Sequence, residues 1–595
     1  MKAGPPRPGA LARGALLVAF LAACGAGDVD EAAPGTPLPD SETEPVRGDW
    51  LVLRLGADPE NLNPLTSNDS TSSRVLRWIF PPLNVIDEDT LELEPLLARE
   101  LPEIAPDRLG YVYRLRNDVT FSDGVPFTAH DVIFTLKATL HPKVAAPHSR
   151  NYFNSIAAAS VIDEHALSIR LKEVYFRNEY VLGSISPIPR HYYDPDGLLD
   201  GISVAELIAW DELDADKRER ASLFAERFNR DFQRRPLGPG AYALVDPAAD
   251  FVTGQRIVLR RRPDFWAPGN IDLEDGWVDR VVFRIVNDNE AALVALKRGD
   301  LDHMGLNPIQ HLRATGTPGF ARRFDKFVHQ RGFYSYIGWN QKRRLFRDRR
   351  VRQALSHLVD KRNIVDKVLF GLGEPVESPV SSLRPEHNAA LAPWPFDPER
   401  ASKLLAEAGW RDTDGDGVLD KRIGGESVPL EFEIISNAGN EQRRKVALTA
   451  LDAFGRVGVR ATFRSLDWSI MLDRVRNYDF DAVVLGWVGG ILIPPDLYQI
   501  WHSSQAVEGG SNYVGFRNEE ADRILEAYRV EFDPAERKRL YDRLQEILYA
   551  EQPYTFLYTP KTIEAWDRRF EGVRWIPGVG SDLHEWWVPV SRQRH

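Results

Sequence analysis

The sequence predicts an α/β fold, on three observations. Strand-like apolar runs and helix-start signals alternate through most of the chain. Several helix starts carry a capping acid followed by proline at the first helical position. The composition is that of a globular chain, with 43 % hydrophobic and 27 % charged residues among 595, which excludes collagen-like, fully disordered and polytopic membrane classes. At roughly 100–200 residues per domain, that length suggests about three to five domains or subdomains.

The elements follow in order. Folded sequence starts near Trp50-Leu51-Val52-Leu53, a short strand-like run. Thr128-Ala129-His130-Asp131 has the capping-box form, with Val132, Ile133, Leu136 and Leu140 following on one side. Val281-Val282-Phe283-Arg284-Ile285-Val286 reads as a strand, and Val351, Ala354, Leu355 and Leu358 form an amphipathic helical stripe. Asp397-Pro398-Glu399 starts a helix that carries Ala401, Leu404, Leu405 and Ala408 and stops at Gly409. Leu430 to Ile435 alternates apolar and charged residues, as a half-buried strand does, whereas Ala482-Val483-Val484-Leu485 suits a strand buried on both faces. Asp533-Pro534-Ala535-Glu536 repeats the helix start, with Leu540, Leu544 and Ile547 behind it.

The N-terminus is an address. Lys2, Arg7 and Arg13 precede an unbroken apolar run from Ala15 to Ala23. A spanning helix needs about 20 apolar residues, so this run is too short to cross a bilayer and has the secretory signal pattern. Cys24, the one cysteine in the chain, directly follows Leu21-Ala22-Ala23 and resembles the lipobox of bacterial lipoproteins, whose cysteine is lipidated. A single thiol builds no disulfide, zinc cluster or iron–sulfur site. Residues 25–47 are rich in Pro, Gly and acids with no apolar period, a flexible tether whose r.m.s. span is about 25 Å. The reading is a signal peptide over 1–23, then a lipidated cysteine and disordered tether over 24–47, holding an extracytoplasmic body to a membrane through lipid alone. The formal net charge is −12, from 75 Lys and Arg against 87 Asp and Glu. That argues against nucleic acid as partner, since the phosphate backbone needs a basic surface.

Catalytic patterns are missing from the sequence. It contains no GxxxxGK[ST], GxGxxG, HExxH or GxSxG, and the reading is a protein that is not an enzyme. His303 and His502 read as lone structural histidines. One stretch has metal-site form: Asp412-Thr413-Asp414-Gly415-Asp416-Gly417 matches the opening of an EF-hand loop, with Asp420 at the ninth position. The twelfth position, which should carry a bidentate acid, is Ile423. Calcium on Asp412, Asp414, Asp416 and Asp420 stands beside the alternative of an acidic turn without metal.

The remaining motifs carry a family resemblance. Tyr113-Arg114-Leu115-Arg116 through Thr120-Phe121-Ser122-Asp123-Gly124-Val125-Pro126-Phe127-Thr128-Ala129-His130-Asp131-Val132 resembles the signature of the bacterial extracellular solute-binding proteins, family 5, the oligopeptide/dipeptide receptors of ABC importers. Gly238-Pro239-Gly240-Ala241-Tyr242, Lys297 to Asp302, Val351-Arg352-Gln353-Ala354-Leu355 with Asp360, Ala408-Gly409-Trp410, Gly486-Trp487 and Trp501-His502-Ser503-Ser504 follow in the family's order, so the similarity spans roughly residues 50–590.

The resemblance implies a two-lobed periplasmic-binding-protein fold (type II, three subdomains) that closes on ligand about a hinge. Residues 48–70, 186–287 and 565–595 are expected to form the first lobe's core, 71–185 its inserted subdomain, and 288–564 the second lobe. It implies a monomer that captures oligopeptide or a similar solute and hands it to a membrane permease. A ligand-sensing or chaperone-like lipoprotein on the same fold and a secreted hydrolase are the alternatives. Ser67, Asn68 and Asp69 are the implied first-lobe ligand residues, and Trp487, Val488, Gly489 and Gly490 those of the second lobe. Peptide-binding relatives commonly carry an aspartate shortly after the Gly-Trp pair, which binds the peptide ammonium. Here the first acid after that pair is Asp496, expected either to take that role or to leave the anchor missing.

Overall fold

The computed structural model describes residues 44–595. Cys24 and most of the tether lie outside them. From Pro45 onward the chain forms one unit. Its backbone is a 13-stranded sheet whose main path runs Arg460–Leu466, Glu431–Asn437, Ala482–Val488, Phe333–Trp339, Tyr554–Asp567, His303–Leu306, Trp50–Leu55, Arg280–Ile285, Arg256–Arg261, Tyr242–Ala243.

One strand belongs to both halves of this sheet. Tyr554–Asp567 has 14 residues, about 46 Å at 3.3 Å per residue. Its first part pairs antiparallel with Phe333–Trp339, from Gly338↔Tyr554 to Ser335↔Tyr558. Its second part pairs with Phe324–Gln330, from Gln330↔Lys561 to Phe324↔Asp567. Between these blocks lie Pro560, which has no N–H to give a ladder, and opposite it Arg331 and Gly332. Among the described residues, these few are the only strand-to-strand crossing between the two halves along this path.

The first half packs Trp50–Leu55 parallel to Arg280–Ile285, with Leu51, Leu53 and Leu55 in its main core. Val52, on the opposite face, packs with Leu293 and Leu296 of the helix Asn289–Arg298. The C-terminal tail returns here: Trp566, Phe570, Trp586 and Val588 join the same main core. Buried Arg569 ties the tail to the start of the fold, donating to Asp302 at 2.9 and 3.1 Å and to Asp49. Between the first two core strands the chain inserts a four-stranded antiparallel sheet, Glu103–Ile104, Gly110–Arg114, Ala166–Leu171, Ile156–Asp163. The helix Ala129–Leu140 covers it, and Val132, Ile133, Leu136 and Leu140 share its core. The capping box forms as the sequence specifies, with Thr128 N–H donating to Asp131 Oδ2 at 2.9 Å.

The second half runs Glu431–Asn437 parallel to both Arg460–Leu466 and Ala482–Val488. Ala482 to Leu485 is buried throughout, between helices Arg349–His357, Pro398–Glu407 and Glu441–Gly455 on one side and Glu519–Val530 and Pro534–Glu551 on the other. The predicted helix starts at Asp397 and Asp533 are caps, accepting from Arg400 N–H and from Ala535 and Glu536 N–H.

The expected boundaries at 288 and 565 do not coincide with the hydrogen bonding. Asn289–Arg298, His303–Leu306 and Phe324–Gln330 build onto the first half, with His303 opposite Leu53 and Leu306 opposite Ile563. The family motif Lys297 to Asp302 therefore closes the first half rather than opening the second. The chain first crosses at Arg331, and the return crossing is near Pro560.

Candidate ligand-binding cleft

The residues at this crossing are flanked by two cavities. The first, about 350 Å³, is lined by Trp487, Val488, Gly489, Gly490 and Asp496, together with Gly332, Phe333, Arg384, Tyr152 and Arg177. Trp487 to Gly490 end the strand Ala482–Val488 beside the crossing, because Gly489 N–H donates to Gly332 O at 2.7 Å. That approach requires glycine at 332, where an added Cβ would overlap the carbonyl oxygen of Gly489. Gly489 and Gly490 have open space where side chains would stand. Trp487 stacks on Tyr513 at 5.3 Å between centroids and donates from Nε1 to Tyr554 Oη at 3.3 Å. Its ring is thus fixed as a flat wall. Val488 is 80 % exposed. The Tyr334 hydroxyl, also on this wall, is buried without a partner among the described residues.

Asp496 lines the same cavity, but its carboxylate is engaged. Oδ2 accepts from Tyr175 Oη at 2.7 Å and from Arg529 Nε at 3.1 Å, and Oδ1 accepts from Tyr498 N–H at 3.0 Å. Burial and the neighbouring Asp496 charge push the Tyr175 phenol well above its usual value. Burial is the largest influence on Arg529 and works against its charge, but Asp496, Tyr175 and Glu173 together outweigh it and the guanidinium is raised. Tyr175 comes from the inserted segment and Asp496 from the second half, so this cluster spans the cleft. Arg177 Nε adds a bond to Pro494 O at 2.8 Å, Phe176 N–H donates to Arg529 O at 2.9 Å, and the Phe176 ring packs edge-on against Tyr528 at 5.0 Å. The inserted segment is shut against the second half.

The second cavity, about 530 Å³, lies on the first-half side of the crossing and is lined by Arg54, Arg74, Arg331, His303, His329 and Glu564, among others. His303 Nε2 bonds Glu564 Oε2 at 3.0 Å. Burial alone would raise Glu564, but the His303 hydrogen bond and the charges of His303, His329 and Arg74 hold it below the usual carboxylate value.

Of the residues expected from sequence, Trp487, Val488, Gly489, Gly490 and Asp496 come together. Ser67, Asn68 and Asp69 line neither cavity. Asp69 caps the helix Ser70–Leu76, accepting from Ser72 N–H at 2.8 Å and from the Thr71 and Ser72 hydroxyls, and that helix presents Arg74. His502 is structural, stacked on Tyr498 at 4.1 Å and bonded to Ser504 Oγ. His303 is a cavity residue. Tyr175, Arg177 and His329 carried no sequence signal because their partners are distant in the chain, and Arg74 and Arg331 fall in no motif.

In the EF-hand-like loop, Asp412, Asp414 and Asp420 bring carboxylate oxygens within 4.8 Å of one another, whereas Asp416 does not join them. Asp412 accepts from Gly415 and Gly417 N–H, Asp420 from Thr413 and Ser427, and Asp416 pairs with Arg460 at 3.2 Å. These bonds brace the turn, and Asp412, Asp414 and Asp420 are also close enough together to share an ion.

Comparison with known proteins accounts for this architecture. The sequence pattern described as bacterial extracellular solute-binding proteins, family 5, middle region, matches residues 92–509. The oligopeptide-binding protein AppA of Bacillus subtilis is 28 % identical over 580 residues, covering 96 % of this chain and 97 % of AppA. The structure of that protein in complex with a nonapeptide superimposes with a TM-score of 0.68 at 27 % identity, over 92 % of this chain and all (100 %) of AppA. NikA from Brucella suis in complex with Fe(III)-EDTA shares the fold at 20 % identity, with a TM-score of 0.72 over 91 % of this chain and 100 % of NikA.

Proposed function

The chain belongs to the bacterial extracellular solute-binding proteins, family 5, a family of binding proteins rather than enzymes, and we propose that it captures an oligopeptide between its lobes and delivers it to the permease of an ABC importer. The observation that carries this reading is the cavity against the hinge. It has an aromatic wall in Trp487, backbone groups at Gly489 and Gly490 with no side chains in the way, and the inserted segment locked over it through Tyr175 and Asp496. Backbone groups at a strand end suit a peptide main chain, which gives affinity with little dependence on side-chain identity. Enclosure removes water and strengthens every polar contact made inside. The lobes meet at Arg331–Gly332 and near Pro560, and we take these as the hinge.

The body is held outside the cytoplasm by lipid on Cys24, a reading supported by the basic head, the short apolar run and the small residues before the cysteine. Among the described residues no helix is long and apolar enough to cross a membrane. The chain acts as a monomer in this reading.

Calorimetry of the chain lacking residues 1–24 with a mixed pool of free pentapeptides tests capture. Heat of binding with a raised melting temperature is expected. No heat and an unchanged melting temperature would remove peptide as the cargo.

A further inference from the structure

Building on the reading of this cleft as a capture site, we propose that the captured solute carries a carboxylate, seated on the first-lobe side by Arg74, Arg331 and His329.

The charge lining the cleft is one-sided. The 530 Å³ cavity has three arginines, Arg54, Arg74 and Arg331, against one acid, Glu564, which already faces His303. Arg54 spends its donors on Val286 O, Asn287 O and Asn289 Oδ1 at 2.8–3.2 Å, and its charge is opposed by Asp288, which is outside the cavity lining. Arg74 and Arg331 have guanidinium groups with no hydrogen bond and no ion pair among the described residues, and the one acid acting on Arg74 is Glu564, which His303 and His329 share. Burial lowers the Arg74 pKa, the mark of a charge held where water is scarce.

His329 supplies the independent observation. It is 8 % exposed, and its Nδ1 accepts from Gly578 N–H at 3.2 Å. The proton of the neutral ring is therefore on Nε2, and that atom is buried on the cavity wall without a partner among the described residues. A buried donor without an acceptor costs free energy, and a ligand oxygen would satisfy it. A planar carboxylate matches the fork of an arginine, with the histidine N–H as a further donor.

The other cavity excludes the opposite assignment. Its single acid, Asp496, is held by Arg529 and Tyr175, so no free carboxylate faces it to receive an ammonium. A buried ammonium would there lack a partner. The cleft selects for negative charge in its cargo, and the missing aspartate after Gly486-Trp487 is part of the same bias. In a peptide the carboxylate is either the C-terminus or a Glu or Asp side chain, and the volume admits either.

The test uses the chain from residue 25 and four synthetic pentapeptide pools: acidic with free C-termini, the same pool amidated, a Gln/Asn pool with free C-termini, and the Gln/Asn pool amidated. Removing both carboxylate types weakens binding at least about tenfold, and the single-change pools say which source fills the site. The R74Q/R331Q variant, with an unchanged circular dichroism spectrum and unliganded melting temperature, loses the preference for carboxylate-bearing pools over the neutral amidated pool. Equal binding of all four pools by the native chain overturns this inference and leaves peptide capture standing. If no pool binds but glutarate raises the melting temperature of the native chain and not of R74Q/R331Q, the carboxylate site stands and the peptide reading falls. If neither peptides nor glutarate bind, both fall.

Discussion

Tyr175→Phe isolates the contact that holds the cleft shut. The hydroxyl leaves the inserted segment and reaches Asp496 Oδ2 at 2.7 Å, across the space that ligand must enter. The substitution removes one oxygen and nothing else, so Phe176, Arg177 and the ring itself stay in place. A hydrogen bond to a charged acceptor contributes roughly 1.5–3 kcal/mol. Asp496 keeps Arg529 at 3.1 Å and Tyr498 N–H at 3.0 Å, so it is not left as an unpaired buried charge, and the lower half of that range applies. The bond exists only when the lobes are closed, so its loss falls on the closing equilibrium and not on the stability of either lobe. At about 1.4 kcal/mol per decade, peptide affinity falls roughly tenfold. Calorimetry measures the affinity, and small-angle scattering of the unliganded chain reports the accompanying shift toward a larger radius of gyration. Unchanged affinity in Tyr175→Phe, with the melting temperature also unchanged, would refute the claim that this bond is part of closure.

Three further outcomes follow. Trp487→Ala removes the flat wall stacked on Tyr513 and lowers peptide affinity by about 1–3 kcal/mol, read by calorimetry; an effect on the melting temperature alone would make Trp487 a core residue. Gly332→Ala drives a Cβ into the Gly489 carbonyl at the hinge and costs about 1–3 kcal/mol in denaturant unfolding, whereas Gly490→Ala, which points into open space, leaves stability unchanged. His141 is buried as the neutral ring, with Nε2 donating to Ala221 O at 2.9 Å and Nδ1 accepting from Lys143 N–H at 3.0 Å. Burial lowers its pKa from 6.5 to about 4. Because the folded value is the lower one, its stabilisation is complete above pH 6.5 and is lost as pH falls from there to about 4, a change of about 3 kcal/mol. His141→Gln flattens that segment of the stability–pH curve, and an unflattened curve would locate the acid sensitivity elsewhere.

Much of the fold is legible because the local signals agree with the tertiary answer. Asp397, Asp533 and the Thr128–Asp131 box start helices where caps are written, and the uninterrupted Ala482–Leu485 run is the strand buried on both faces. The lobe boundary was not legible. Residues 289–330 alternate helix and strand as the second lobe does, and only the pairing of His303–Leu306 with Ile563–Trp566, some 260 residues later, assigns them to the first. In the site, Trp487 to Gly490 could be read because they form one contiguous motif. Asp496 could be found but not its state, since Tyr175 and Arg529 come from separate elements. Ser67 to Asp69 line neither cavity, and Asp69 caps the helix that carries Arg74. Arg74 lies on the helix Ser70–Leu76, and His329 and Arg331 at the end of the strand Phe324–Gln330 some 255 residues later, so they left no shared pattern.

The central claim, a peptide held between two closed lobes, is tested most directly by native mass spectrometry of the chain from residue 25, purified without unfolding. The account predicts a population heavier than the bare chain by the mass of a short peptide, converted to the bare mass by denaturation and regenerated by adding the acidic pentapeptide pool. Only the bare mass, before and after that addition, would contradict it.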